Sequence, residues 1–144
     1  MKAINTSIII PTWNSGAYLP ASLNSLTVQT YRNFEVVIVD NGSTAFDEDK
    51  IIAGWPSLTI KVISLKENRG FAAACNLGAR QAAGEWLSFL NADAFPAPTW
   101  LEQFHAAVQR SRPRWRRSKA VRPGRLHCYF DKYENFYRPQ AVNV

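Results

Sequence analysis

Four short apolar segments, separated by segments with helical periodicity, restrict the fold of this 144-residue sequence more than any other feature. Apolar runs of this length, rich in β-branched or aromatic residues and bounded by turn-forming residues, are typical of buried strands. They are SIIIPTWN (7–14), FEVVIVDNGS (34–43), LTIKVISL (58–65) and EWLSFL (85–90). The first two are apolar at consecutive positions, so both faces of the strand must be covered, as in a parallel sheet.

The segments between the strands have helical patterns. Leu19, Leu23 and Leu26 recur at spacings of four and three, which predicts a helix with one apolar face. The Ala-rich segment 70–84 predicts a second helix, with Gly84 placed to end it. Strands that alternate with helices in this way predict an α/β fold, with a mostly parallel sheet flanked by helices on both faces.

Two more helices are predicted from weaker patterns. Ile51 and Ile52 mark a short helix within the mixed segment 44–57. Thr99 and Glu102 have the spacing of a capping box and predict the start of the last helix. The complete predicted order is therefore β-α-β-(α)-β-α-β-α.

Charge divides the chain into two parts. Residues 1–109 contain 7 Lys and Arg against 9 Asp and Glu, whereas residues 110–144 contain 10 against 2. The formal net charge of +6 therefore comes from the second part, a basic and aromatic tail with no clear periodicity. We expect 1–109 to form one folded domain, and we make no prediction for the fold of the tail.

Several classes of protein are not indicated. No apolar run approaches the ~20 residues needed to span a bilayer. The N-terminal apolar run is too short for a signal peptide, so we expect a cytoplasmic protein or one peripheral to the inner face of the membrane. Cys75 and Cys128 lack the spacing of a disulfide framework or zinc site, and His105 and His127 have no evident partners in the sequence.

Polar residues follow every predicted strand. Because the carboxyl ends of parallel strands meet at one edge of the sheet, these residues are expected to line a ligand-binding crevice. The groups are Thr12-Trp13-Asn14, Asp40-Asn41, Lys66-Glu67-Asn68, and Asn91 with Asp93.

Each group has a ligand-binding interpretation and a structural alternative. Asp93 has the oxygen chemistry that Mg²⁺ and Mn²⁺ prefer, but a solvated turn aspartate is an equal alternative. Gly70, at the start of a helix, would let a phosphate approach backbone N–H groups, although an ordinary turn needs no phosphate. An oxygen of Asp40 or Asn41 could accept the N3–H of a pyrimidine, but the segment Asn41-Gly42-Ser43 is equally good turn chemistry that needs no ligand. Trp13 could stack on that base or belong to the core.

The basic tail has its own alternative function. Its segment 110–125 holds eight Lys or Arg residues in sixteen, and Trp115 could stack on bases. These properties fit nucleic-acid binding. The mildly acidic domain 1–109 does not support a continuous basic face, so this alternative is not favoured.

Taken together, the segments from about Ser7 to about Arg110 resemble the family 2 glycosyltransferases, which have the GT-A fold, a Rossmann-like nucleotide-sugar-binding architecture. The stretches NRGFAAACN and LNADA are most similar to its rhamnosyltransferase-like branch. The resemblance implies inverting transfer of a sugar from a nucleotide diphosphate donor to a hydroxyl of a glycan or lipid-linked acceptor. It also implies a divalent cation, Mn²⁺ or Mg²⁺, and a role in cell-surface polysaccharide synthesis.

The resemblance assigns roles to the residues that match the family's motifs. The first-strand motif would hold the nucleoside, the Asp40-Asn41 pair would contact pyrimidine and ribose, and the helix segment would lie near the diphosphate and sugar. Asp93 would bind the cation, with Asn91 in the first position of the Asp-x-Asp motif. The implied substrate-binding residues are Pro11, Thr12, Trp13, Asn14, Asp40, Asn41, Asn68, Gly70, Asn76 and Asn91.

The sequence departs from the family's pattern in two places. The third position of the Ser-Thr-Asp motif is Ala45, and the acceptor half with its acidic general base has no counterpart before the chain ends. Asp131 and Glu134 lie in no matching motif. We therefore expect a truncated or frame-shifted copy. Its alternative activities are a catalytically inactive nucleotide-sugar-binding remnant or nucleic-acid binding through the tail.

Overall fold

The computed structural model describes residues 4–110, which form a four-stranded parallel sheet with helices on both faces. The elements occur in the predicted order, so the α/β expectation is confirmed. They are β1 (Thr6–Thr12), α1 (Leu19–Thr27), β2 (Phe34–Asp40), α2 (Glu48–Gly54), β3 (Ile60–Ser64), α3 (Phe71–Gln81), β4 (Trp86–Phe89) and α4 (Trp100–Arg110). The predictions for Cys128, His127 and the tail from 111 onward lie outside the described residues.

The strand register brings all four carboxyl ends to one edge of the sheet. The spatial order is β3-β2-β1-β4, and every neighbouring pair is parallel. Thr12 is level with Asp40, and Asp40 is level with Ser64. We call the loops 12–18, 40–47, 65–70 and 90–99 the carboxyl edge. The crevice expected from the sequence therefore has a common location.

Two apolar layers hold the sheet, one on each face. On one face Ile8, Ile10 and Ile38 are fully buried, together with side chains of α1 and with Leu101 of α4. On the other face Ile9, Val37 and Val39 pack with Ala74 of α3. The sheet is thus covered on both sides, as the consecutive apolar residues of β1 and β2 predicted.

A glycine allows α3 to pack closely on the sheet. A Cβ at Gly78 would lie 2.5 Å from Cγ2 of Ile9 and 3.1 Å from Cγ2 of Val39. Any larger residue there would push the helix away from β1 and β2. Because α3 begins at the carboxyl edge, this packing also fixes the position of its first turn.

Pro11 lies inside the central strand β1, a position where proline is normally excluded because it cannot donate to the ladder. The carbonyls of Asn5 and Ile9 accept N–H groups of Trp86 and Leu90, so odd-numbered residues of β1 face β4. The β1–β4 pairing ends at Ile9 opposite Phe89. The missing N–H of Pro11 therefore falls beyond the end of β4 and leaves the pairing intact.

The structure corrects two local predictions. Helix α3 ends at Gln81, three residues before Gly84, so this glycine does not end the helix. Its requirement is space, because a Cβ there would lie 2.6 Å from the backbone nitrogen of Ser7. The capping box is also not formed, since Glu102 Oε2 accepts the hydroxyl of Thr30 at 2.8 Å.

The opposite edge of the sheet is closed by polar contacts. We call residues 5–7, 33–35 and 82–86, with His105 of α4, the amino edge. Glu35 accepts hydrogen bonds from the Ser7 hydroxyl and from the Ala83 N–H, and Ser7 Oγ accepts from the Gly84 N–H at 2.8 Å. These contacts join β1, β2 and the turn before β4.

His105 belongs to the amino edge and has a structural role. Its Nε2 lies 2.7 Å from the hydroxyl of Thr6, and its ring stacks on Tyr31 with centroids 4.1 Å apart. Burial lowers the pKa of His105 and raises the pKa of Tyr31. The imidazole thus joins α4 to β1 and to the segment after α1.

Candidate functional site

The loop after β1 is fastened to the loop after β2 through Asn14. This residue has φ +50, a left-handed conformation that asparagine adopts more readily than most residues. Its N–H donates to Ser43 Oγ at 2.8 Å, and its Oδ1 accepts from the Thr44 N–H at 3.1 Å and from the Thr44 hydroxyl at 3.3 Å. Asn14 therefore shapes the crevice, whatever ligand it meets.

The floor of the crevice consists of the buried strand ends. Pro11 and Thr12 are buried, and Asp40 has only 3% of its surface exposed. Asp40 Oδ1 accepts from the Ser43 N–H at 3.2 Å. This bond ties the buried carboxylate to the loop after β2.

The loop after β3 is fastened to the loop after β2 through Asn41. Its Nδ2 donates to Asn68 Oδ1 at 2.9 Å, and its Oδ1 accepts from the Arg69 N–H at 2.9 Å. Asn68 Oδ1 also accepts from the Gly70 N–H at 2.8 Å. Asn41, Asn68 and Gly70, three of the residues singled out from the sequence, thus form one hydrogen-bonded group.

Two glycines with positive φ complete this junction. Gly42 has φ +78, and a Cβ there would lie 2.6 Å from the carbonyl carbon of Glu67, so the two loops touch backbone to backbone. Gly70 has φ +85 and is the N-cap of α3 without a side-chain cap. The first N–H groups of a helix have no partners within the helix, so this turn can bind an anion.

Trp13 is exposed at the carboxyl edge. More than half of its surface, 55%, is accessible, so the alternative that Trp13 belongs to the core is wrong. Phe95, in the loop after β4, is equally exposed at 56%. Exposed rings of this size at the carboxyl edge offer apolar faces on which a planar ligand can stack.

Asn91 and Asp93 lie in the turn after β4. Ala94 N–H donates to the carbonyl of Asn91 at 3.0 Å, and Asp93 is exposed to solvent. Among residues 4–110, no three His, Cys, Asp or Glu side chains lie together as a metal site. The donor set fits a cation such as Mg²⁺ that keeps water and phosphate ligands and takes one protein carboxylate, and does not fit an all-protein site.

Asn76 lies apart from the other predicted residues, on the flank of α3. It is half-buried and lines a cleft of about 280 Å³. The other residues of this cleft are Leu65, Arg69, Ala73, Leu77 and Arg80. Arg69 is the residue that connects this cleft to the junction at Asn41.

Ser43, like Thr44 and Arg69, was not among the predicted substrate-binding residues. Its N–H binds Asp40 and its hydroxyl binds Asn14, so it joins two predicted residues. One signal was available: an aspartate before a turn commonly accepts a hydrogen bond from a backbone N–H a few positions ahead. The bond to Asn14 had no signal, because it joins loops 29 positions apart.

Comparisons with known proteins identify the family. The sequence profile described as "Glycosyl transferase family 2" matches residues 7–127. An uncharacterised glycosyltransferase of Haemophilus influenzae is 39% identical over 105 residues, which are 73% of this chain and 35% of that protein.

Two solved structures are similar in fold and sequence. S. aureus TarS 1-349 in complex with UDP-GlcNAc has a TM-score of 0.66 at 33% identity, over 74% of this chain and 31% of that chain. The mannosyltransferase PcManGT from Pyrobaculum calidifontis, in complex with GDP-Man and Mn²⁺, has a TM-score of 0.63 at 31% identity, over 70% and 31%.

The chain thus spans about a third of the length of each of these proteins. Within residues 4–110, none of the helices has the length and apolarity of a membrane span. The family match covers well over half of the chain, and the described sheet agrees with the neighbouring structures. The chain belongs to glycosyltransferase family 2 and has the GT-A fold.

Proposed function

We propose that the carboxyl edge binds a nucleotide diphosphate-sugar and serves an inverting transfer of the sugar to an acceptor hydroxyl. One observation carries this proposal: all four parallel strands end at the same edge of the sheet, so that the residues with nucleoside, phosphate and metal chemistry come from neighbouring loops. The neighbouring structures support the donor class, since TarS is in complex with UDP-GlcNAc and PcManGT with GDP-Man.

The nucleoside lies, in this proposal, over the ends of β1 and β2. Trp13 has the exposed ring that stacking on a base requires. Pro11 and Thr12 form the floor, and Asn14 fastens the loop after β1 to the loop after β2 at its side. Asp40 supplies one carboxylate oxygen for the N3–H of a pyrimidine.

The diphosphate and sugar lie at the start of α3. Helix α3 begins at the carboxyl edge with Gly70 as its N-cap, and the dipole of the helix attracts an anion to this end. Gly70 permits close approach because it has no side chain. Asn68 borders this position, and Asn76 lies on α3, six residues after Gly70.

Asp93 is the proposed ligand of a divalent cation, Mn²⁺ or Mg²⁺, with Asn91 beside it. The exposed carboxylate leaves room for phosphate oxygens and water to complete the coordination. A bound cation supplies positive charge that stabilises the departing nucleotide diphosphate. The Mn²⁺ in the PcManGT structure supports this choice.

The acceptor is proposed to be a glycan or a lipid-linked glycan in the synthesis of cell-surface polysaccharide, at the cytoplasmic side of the membrane. An inverting transfer also needs a general base for the acceptor hydroxyl, whose contribution is about 10²–10⁴-fold in rate. We assign this role to none of the residues 4–110. Donor binding is therefore the part of the function that this chain can test directly.

The test is calorimetric titration of the protein with UDP and dTDP, with and without Mn²⁺. We expect metal-dependent binding that falls at least tenfold in Asp93→Ala, because one carboxylate ligand is lost. Asp49→Ala is the matched control, since Asp49 is an exposed aspartate of α2 outside the carboxyl edge, and it should leave binding unchanged.

Two results would contradict the proposal. A folded protein that binds neither nucleotide would show that the carboxyl edge is not a donor site. Equal Mn²⁺-dependent binding by the wild type and by Asp93→Ala would show that Asp93 is not a ligand of the metal. Binding without turnover toward any acceptor would identify the chain as a binding-only protein.

A further inference from the structure

We propose that Asn41 is a positioning residue that holds the segment 67–70, and with it the first turn of α3, in the place where the donor's diphosphate binds. This inference rests on the proposed function for its ligand. It differs from the role that the family resemblance gives to Asn41, which is contact with pyrimidine and ribose.

The side-chain hydrogen bonds of Asn41 go to the loop after β3 and not to the floor of the crevice. Both ends of its amide are used, Nδ2 by Asn68 Oδ1 and Oδ1 by the Arg69 N–H, each at 2.9 Å. Its own N–H donates to the Thr12 carbonyl at 2.8 Å. With only 4% of its surface exposed, the residue presents little of its amide to a nucleotide.

The partners of Asn41 lead directly to the helix. Asn68 Oδ1 accepts from Asn41 and also from the Gly70 N–H, so one carbonyl oxygen binds both the neighbouring loop and the N-cap. Gly70 in turn accepts the first helical bond, from the Ala74 N–H at 3.2 Å. The orientation of the first turn therefore depends on a short chain of hydrogen bonds that starts at Asn41.

The backbone contact at Gly42 gives independent support. A Cβ at Gly42 would lie only 2.6 Å from the Glu67 carbonyl carbon. The loops after β2 and β3 are therefore already in van der Waals contact. The Asn41 side chain thus binds a segment that the backbone has brought into contact. Side-chain bonds and backbone contact thus hold the segment together, and an anion site built from backbone N–H groups requires such fixed donors.

The first experiment measures amide hydrogen exchange by NMR in the ligand-free protein. Asn41→Ala should speed exchange at Arg69 and Gly70 about tenfold, because the Arg69 N–H loses its acceptor and Asn68, the acceptor of the Gly70 N–H, loses the donor that orients it. The amide of Ile38, inside β2, should keep its exchange rate. Asn24→Ala is the matched control: Asn24 is an exposed asparagine of α1 whose Oδ1 accepts from Trp55, and it should change neither amide.

A second variant guards against loss of folding in the first. Asn41→Asp keeps an acceptor for the Arg69 N–H but removes the donor to Asn68. Exchange should then increase at Gly70 and not at Arg69. Unchanged exchange at both amides in a folded Asn41→Ala protein would overturn the proposal.

The second experiment separates positioning from direct contact with the nucleoside. In the presence of Mn²⁺, Asn41→Ala should weaken UDP binding about tenfold and leave uridine binding unchanged. Equal losses for uridine and UDP would show that Asn41 contacts the nucleoside, and would overturn the inference. If the wild type binds no UDP, the proposed function fails. Faster exchange at Arg69 and Gly70 in Asn41→Ala would still support the inference that Asn41 positions this segment.

Discussion

The two edges of the sheet use similar polar residues in opposite ways. At the amino edge, Glu35, Ser7 and the backbone of the turn 83–84 satisfy one another, and Glu35 is only 5% exposed. At the carboxyl edge, the loops also bind one another, but Trp13 and Asp93 remain exposed.

The difference follows from the direction of the chain in a parallel sheet. Each strand enters from the amino edge and leaves at the carboxyl edge, so the helices that follow begin at the carboxyl edge with their N–H groups directed outward. The hydrogen bonds of Glu35 and Ser7 therefore stabilise the fold at the amino edge, while the exposed side chains of Trp13 and Asp93 at the carboxyl edge are accessible to a ligand. Substitutions at the two edges should accordingly affect different measurements.

The largest effect is expected for Glu35→Ala. The substitution leaves the buried Ser7 hydroxyl and the part-buried Ala83 N–H without their acceptor. Such a loss lowers the free energy of unfolding by about 3 kcal/mol. Urea unfolding would measure it, and Glu85→Ala, at an exposed glutamate of the same edge, should change the value by less than about 0.5 kcal/mol.

The comparison would fail if Glu35→Ala left stability unchanged, because the amino edge would then not be held by its polar contacts. It would also fail if the folded variant lost UDP affinity. We expect affinity to be retained, since Glu35 and the carboxyl edge are at opposite ends of β2.

Gly84→Ala is expected to have the next largest effect. Its Cβ would overlap the backbone at Ser7, with 2.6 Å to the nitrogen, and backbone cannot move aside as a flexible side chain can. Overpacking of this kind costs about 2 kcal/mol of unfolding free energy. Gly54→Ala meets nothing within 4 Å and should not destabilise, so equal thermal denaturation of the two variants would contradict the prediction.

Trp13→Ala tests the carboxyl edge. Its ring is 55% exposed, so unfolding free energy should change by less than about 0.5 kcal/mol. Stacking on a base contributes about 1–3 kcal/mol, so UDP affinity in calorimetry should fall at least fivefold. Val28→Ala is the control, because Val28 is equally exposed at the C-terminal end of α1, and it should change neither quantity. If Trp13→Ala lowered stability without lowering affinity, Trp13 would be a structural residue and not a ligand contact.

The smallest expected effect is a pH dependence at the amino edge. Burial lowers the pKa of His105 in the folded protein, so below pH ~6.5 the unfolded chain binds this proton more readily than the folded one. The contribution of the neutral imidazole to the free energy of unfolding is therefore fully present above pH ~6.5 and is lost as the pH falls through the lowered pKa. Urea unfolding at pH 5.5 and 7.5 should show a smaller difference in His105→Gln than in the wild type, and an equal difference would refute this origin.

Residues close in sequence were predicted well, and contacts between loops were not. The apolar runs and the Leu19, Leu23 and Leu26 spacing identified β1, β2 and α1 because each pattern lies within one element. The roles of Gly84 and Glu102 were mispredicted because their partners, Ser7 and Thr30, lie 77 and 72 positions away in the chain. The exposure of Trp13 was likewise undecided, since a tryptophan at a strand end fits a core and a crevice equally.

The sequence by itself determined the α/β order, the parallel sheet and the polar residues at each strand end, because apolar periodicity and turn chemistry act locally. The tertiary structure alone decided how those residues are used. Strand register brought Asn41 to the Arg69 amide and Asn14 to Ser43, so groups with the chemistry of ligand contacts became the bonds that shape the crevice. A hydrogen-bonding side chain has the same chemistry in either role, and only the distance to its neighbours distinguishes the two.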